Sequence, residues 1–309
     1  MVKLRELRAN LKTAGMSAVE TALYKATLDT ADVPKEKHLT TITDQGRAAA
    51  DEVSDALVAA MRGVQDKGAF AAIKAAYVAH RLVHAGLHAL ARRSVDPALL
   101  QFADLAARAG GPAAAARGLP PEVSFARQYG LFVGALLAHP AAAEFTRSRT
   151  DRAWRCSTLD EAIAQIGAVQ RLCGLALSAA GAGGLGGGGG GEGAGSAALE
   201  LLTAAPHVAV AARLAALADA FSVYRAESQL VAALLDGYGA GDKGVARDVS
   251  GAVAMLARHM QQAAALQGAL EAAAAQGEAV RNGCGALIAE TALAEALWPG
   301  QLCALPVVG

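Results

Sequence analysis

SAVETALYKATLDTADVPKEKHLTTI, residues 17–42, reads as two helices and the turn between them. Ser17 and Glu20 have the spacing of a capping box, in which the hydroxyl accepts from a backbone N–H of the first turn and the carboxylate reaches back to the cap. Val19, Leu23 and Ala26 then share one face, which puts Lys25 in the last turn. Asp32 and Pro34 open the next helix, with Leu39 and Ile42 turned inward and Lys35, Lys37 and His38 in its first turn. Cations there face the positive end of the helix macrodipole, at a cost of about 0.3–1 kcal/mol each. An anion at the same place reverses the sign, because free N–H groups, dipole and ammonium groups all point at it. The plainer reading is a solvated polar face with Asp29, Asp32 and Glu36 as weak partners.

The same helical spacing of apolar residues continues outward through the 309 residues, and alternating strand patterns do not occur, so the predicted fold is all-α. Helices are expected at roughly 51–65, 69–85, 97–109 and 124–138, broken at Gly110 to Pro112 and Leu119 to Pro121. Another follows Ser157 and Thr158, with Asp160 and Glu161 in its first turn, and longer alanine-rich helices run from about 198, interrupted near Gly237 to Gly244 and after Gln276. Short connections make neighbouring helices antiparallel, which predicts an α-α superhelix, or solenoid. Apolar residues make up 54% of the chain but aromatics only 4%, so much of the core is alanine and helix packing should be close and shallow.

Between the two helical stretches, GAGGLGGGGGGEGAG at 181–195 contains G-x-G-x-x-G at Gly181, Gly183 and Gly186. A phosphate-binding glycine loop follows a strand. Here a helix precedes, so the segment reads as a flexible insertion. The expected organisation is one helical domain over 1–280, with this insertion, and a C-terminal extension at 281–309.

Lys+Arg and Asp+Glu both total 28, yet residues 1–155 hold 21 basic and 15 acidic groups against 7 and 13 in 156–309. The basic half is where an anionic partner belongs, and the balanced total argues against nucleic acid. Cys156, Cys173, Cys284 and Cys303 are scattered without a C-x-x-C pair, so neither a zinc knuckle nor a disulfide framework is expected. No run of about 18 strongly apolar residues is evident, which leaves peripheral membrane contact. Leu4, Leu7 and Leu11, ringed by Lys3, Arg5, Arg8 and Lys12, form a small apolar face more suited to packing than to insertion. Trp154 and Trp298 read as packing residues.

His80, His84 and His88 fall at i, i+4, i+8, a spacing that can place three imidazoles on one stripe. No carboxylate or cysteine nearby in sequence completes a ligand set, and no metal or cofactor is expected. Paired acids such as Asp51-Glu52 suit helix first turns, and no nucleophile, zinc-hydrolase or cysteine-histidine motif is present, so no catalysis is expected.

Lys25, nine residues, Lys35, one residue, Lys37 and His38 form K-x9-K-x-K-H. This resembles the phosphoinositide-binding signature of ANTH domains, the N-terminal modules of clathrin assembly proteins, and Pro34-Lys-Glu-Lys-His-Leu39 is similar to the plant-type members. Phe70, Lys74, His80-Arg-Leu82 and Gly86 resemble the family's fourth helix; Arg127, Tyr129 and Leu131-Phe132 resemble a later one, and Ala220-Phe-Ser-Val-Tyr224 the start of a long C-terminal helix. The resemblance implies an α-helical solenoid that binds phosphatidylinositol 4,5-bisphosphate on the cytosolic leaflet, with Lys25, Lys35, Lys37 and His38 on the headgroup phosphates. It further implies clathrin coat assembly and endocytosis at plasma-membrane coated pits, coated vesicles and the Golgi, with SNARE proteins as cargo. Neither Asp-Pro-Phe nor Asn-Pro-Phe occurs in the sequence, and Leu234-Leu-Asp236 falls in a predicted helix, so no clathrin motif accompanies the signature. A contrasting expectation is a solenoid scaffold that binds only proteins, its acidic half docking them and its basic half merely solvated.

Overall fold

The computed structural model describes residues 13–64, 67–95, 100, 102, 119–139, 159–181, 207–239 and 249–289. Among these residues the chain is all-α: α1 (Ala18–Ala26), α2 (Glu36–Ala48), α3 (Ala50–Val64), α4 (Ala69–His84), α5 (His88–Ser94), α6 (Pro121–Ala138), α7 (Leu159–Ala180), α8 (His207–Gly239) and α9 (Val249–Ala289). The chain divides into two compact units, residues 1–148 with 200–212, and residues 149–199 with 213–309.

In the first unit α4 is the central helix. Every residue from Ala71 to His80 is buried, and α4 packs against α1, α2, α3, α5 and α6 alike. Its sequence, AFAAIKAAYVAHRLVH, has no continuous charged face to offer water, and its alanines let neighbouring helices approach closely. The largest fully enclosed side chains here include Ile73, Leu82, Tyr129 and Phe132, each contributing roughly 1.5–3 kcal/mol of burial. At Gly130 on α6, a Cβ would collide with the Leu100 carbonyl oxygen and the Phe102 ring, so glycine is what admits Leu100 and Phe102 to the helix surface.

Helix ends follow local chemistry. The capping box of α1 is present as expected, with Ser17 N–H donating to Glu20 Oε2 at 2.8 Å and Glu20 N–H to Ser17 Oγ at 3.3 Å. Helix α6 begins at Pro121, three residues before the expected start, because a proline at the first helical position loses no helical hydrogen bond. A turn at Gly86, φ 81°, ends α4 and lets α5 begin at His88, a seven-residue helix that periodicity does not reveal. The helix expected at 97–109 and the segments 1–12, 182–195 and 290–309 lie outside the described residues. Gly181, φ 90°, terminates α7.

In the second unit α7 packs against α9. Helix α7 begins at Leu159, which puts Asp160 and Glu161 in its first turn as expected. Its seam runs through Ile166, Val169, Cys173, Ala176 and Leu177, and α9 buries the narrower stripe Gln262, Leu266 and Leu270. The expected break after Gln276 does not occur: α9 continues through Gly277, as an alanine-rich segment tolerates one glycine at a cost of about 1 kcal/mol.

The expectation that no apolar run reaches spanning length needs correction. Residues 163–180 and 207–232 have mean hydropathy of 1.3 and 1.2 and are long enough to cross a bilayer by length and composition. Alanine supplies much of that hydropathy. Buried Gln170 lies in the first stretch and buried Arg213, Asp219 and Glu227 in the second, groups that a lipid-facing helix would leave costly.

Candidate anion-binding site

The four sequence-predicted residues lie on the facing ends of α1 and α2. Lys25 is in the last turn of α1, where its charge suits the dipole. Lys35 is the N-cap of α2, one position earlier than expected, and Lys37 and His38 are in the first turn. The shift comes from Pro34, which is buried and holds the chain extended ahead of the cap. Lys35 makes no side-chain cap, so the N-terminus of α2 receives no acceptor from it. Only at His38 does the first-turn backbone close, its N–H donating to Lys35 O at 2.9 Å.

The electrostatics register the convergence. The half-buried His38 imidazole is held below its ordinary value of 6.5, first by burial and then by the charges of Lys37, Lys25 and Lys35 in turn. Lysines on two different helices therefore act on one ring.

Two of the three acids expected as weak partners, Glu36 and Asp29, reach α4. Glu36 Oε1 accepts from Arg81 Nη2 on α4 at 2.7 Å. Asp29 Oδ1 accepts from the Ala71 N–H at 3.1 Å and so caps the start of α4, whose own N-cap, Gly68, has no side chain to offer. A Cβ at Gly68 would meet the Asp29 carboxylate.

Lys74, one residue on which sequence reading placed no functional role, holds the α1–α2 turn. It is 2% exposed, and its Nζ donates to Leu28 O at 3.0 Å and to Thr30 Oγ1 at 2.7 Å. Burial pulls the ammonium down to about 8, against the opposing pull of the Asp32 and Asp29 carboxylates. No sequence pattern advertises this contact, because its partners are 44 and 46 positions away.

The histidine stripe does not assemble. His88 starts a separate helix beyond Gly86. His80 and His84 approach Nε2 to Nε2 at 3.0 Å, and His80 Nδ1 lies 2.7 Å from the Tyr129 hydroxyl. Both ring nitrogens of His80 are thus satisfied within a buried hydrogen-bonded chain.

The second unit holds a buried polar cluster that sequence reading did not single out. Glu227 Oε1, fully buried, accepts from Gln170 Nε2 at 3.0 Å and His259 Nδ1 at 2.8 Å. The His259 ring stacks on Tyr224 at 4.6 Å, and Gln262 Nε2 donates to Gln170 O at 2.6 Å. Burial raises the Tyr224 hydroxyl and the Cys173 thiol, which keeps both protonated and unreactive. The network joins α7, α8 and α9, and it leaves Glu227 Oε2, Gln170 Oε1 and Gln262 Oε1 buried without a hydrogen-bond partner among the described residues.

Comparison of the sequence with protein-family models and with curated proteins finds no match.

Proposed function

We propose that this chain is a peripheral membrane adaptor whose first unit binds phosphatidylinositol 4,5-bisphosphate headgroups on the cytosolic leaflet through Lys25, Lys35, Lys37 and His38. The observation that supports the reading is the gathering of these four groups at the N-terminus of α2, which lacks a side-chain cap and where Lys37, Lys25 and Lys35 all act on the His38 ring. Lysine ammoniums on flexible stems suit a multiply phosphorylated ring, since each acts as a point charge with three donors. The work is charge neutralisation without bond making.

Taken with the resemblance to ANTH domains, the proposal extends to clathrin-mediated endocytosis: residence at plasma-membrane coated pits, coated vesicles and the Golgi, a part in clathrin assembly, and SNARE cargo held by the C-terminal helices. The superhelical stacking of the helices belongs to the same proposal.

Flotation on phosphatidylcholine vesicles with and without the bisphosphorylated lipid tests it. Each cation near an anionic surface is worth about 1 kcal/mol. Reversing two of them, Lys35→Glu with Lys37→Glu, should cost about 4 kcal/mol, near a thousandfold in affinity, at unchanged helicity. Equal flotation of variant and parent would reject the site and leave a protein-binding helical scaffold.

A further inference from the structure

The turn that joins the two arms of the basic site is fastened at four successive residues. Leu28 O and Thr30 Oγ1 accept from Lys74, Asp29 accepts from the start of α4, and Ala31 O accepts from the Val208 N–H at 3.0 Å. The traffic with α4 runs both ways: a carboxylate from the turn caps the helix, and an ammonium from the helix caps the turn. Next to Lys25, the Tyr24 ring carries Lys67 Nζ at 5.5 Å from its centroid, which fastens the end of α1 as well.

A buried ammonium is an expensive way to hold one carbonyl and one hydroxyl. Methionine would fill the same volume of α4 without the desolvation. What the lysine adds is a fixed course for residues 28–30, and that course sets the offset between Lys25 on α1 and Lys35, Lys37 and His38 on α2.

Resting on the headgroup reading above, we propose that Lys74 is a positioning residue for the basic site: through Leu28 and Thr30 it sets the register of the two arms, and so separates recognition of a phosphorylated inositol ring from general attraction to negative charge. Preorganisation matters for the first and hardly at all for the second, because a diffuse anionic surface asks for charge without geometry. Lys74 itself does not touch the ligand.

The test uses the full chain, soluble inositol 1,4,5-trisphosphate as the geometric probe in titration calorimetry, and phosphatidylserine vesicles as the charge probe. Two variants are compared: Lys74→Met, which keeps the length and removes the ammonium, and Thr30→Val, which keeps the shape and removes an acceptor while leaving the lysine. Each should weaken inositol trisphosphate binding, Lys74→Met by about tenfold and Thr30→Val by less, with vesicle binding changed less than twofold. The double variant should be no worse than Lys74→Met alone, since both act on one bond.

Wild-type binding with undiminished binding by both variants would overturn the positioning role and leave the headgroup site standing. A parallel fall on both probes, or loss of the helical circular dichroism signal in both variants, would assign Lys74 to folding and overturn it equally. No binding of inositol trisphosphate by the wild type would overturn the headgroup reading, and this proposal with it.

Discussion

Headgroup binding should tighten on acidification more than the ligand's own chemistry allows, and His38 is the reason. In the free protein the ring resists protonation because it is half-buried and because Lys37, Lys25 and Lys35 repel a fourth positive charge. Phosphates arriving among the lysines cancel that repulsion and attract the proton, so binding and protonation of His38 are linked. One proton is involved, which caps the effect at tenfold per pH unit, about 1.36 kcal/mol. The headgroup phosphates work against it, since they lose negative charge over the same range. Comparison with His38→Gln removes that term: the ratio of wild-type to variant affinity for inositol trisphosphate, measured calorimetrically from pH 7.5 to 5.5, should rise as pH falls and then level off. A flat ratio would refute the reasoning, because it would mean that the ring does not face the anion. The sign for folding is opposite. With its value lowered in the fold, His38 contributes stability that is present above 6.5 and lost as pH drops through the folded value.

Two stability predictions concern the scaffold. Gly130→Ala drives a methyl group into the Leu100 carbonyl and should destabilise the first unit by about 1–3 kcal/mol, seen as a lower denaturant midpoint; an unchanged midpoint would mean that Leu100 gives way freely. Glu227→Ala strips Gln170 and His259 of their shared buried acceptor and should cost about 3 kcal/mol in thermal or chemical unfolding, while headgroup affinity stays unchanged. Loss of headgroup affinity in a folded Glu227→Ala protein would show that the basic site is not confined to α1 and α2.

Local chemistry made the first unit readable. Ser17 and Glu20 announce the start of α1, Pro34 the approach to α2, and the spacing of Lys25, Lys35, Lys37 and His38 brings the four to one place because a single turn separates their helices. Harder to read were elements without punctuation. Helix α5 has seven residues and no side-chain cap, and α9 runs through Gly277 in alanine-rich sequence where one glycine looks like an end. The supports of the site were not readable at all. Asp29 to Ala71, Lys74 to Leu28 and Arg81 to Glu36 are contacts between positions more than 40 apart, made by tertiary packing around α4. The histidine spacing stops short of a stripe because Gly86, φ 81°, turns the chain between His84 and His88.

The central claim is that a multiply phosphorylated ring sits at the N-terminus of α2. Amide chemical-shift mapping of the isotope-labelled chain with inositol 1,4,5-trisphosphate tests it at the atoms concerned. The backbone N–H signals of Lys35, Glu36, Lys37 and His38 should move in a saturable, salt-sensitive way, together with Lys25 across the turn. Silence at these amides, with shifts gathered on another helix or none anywhere, would contradict the account.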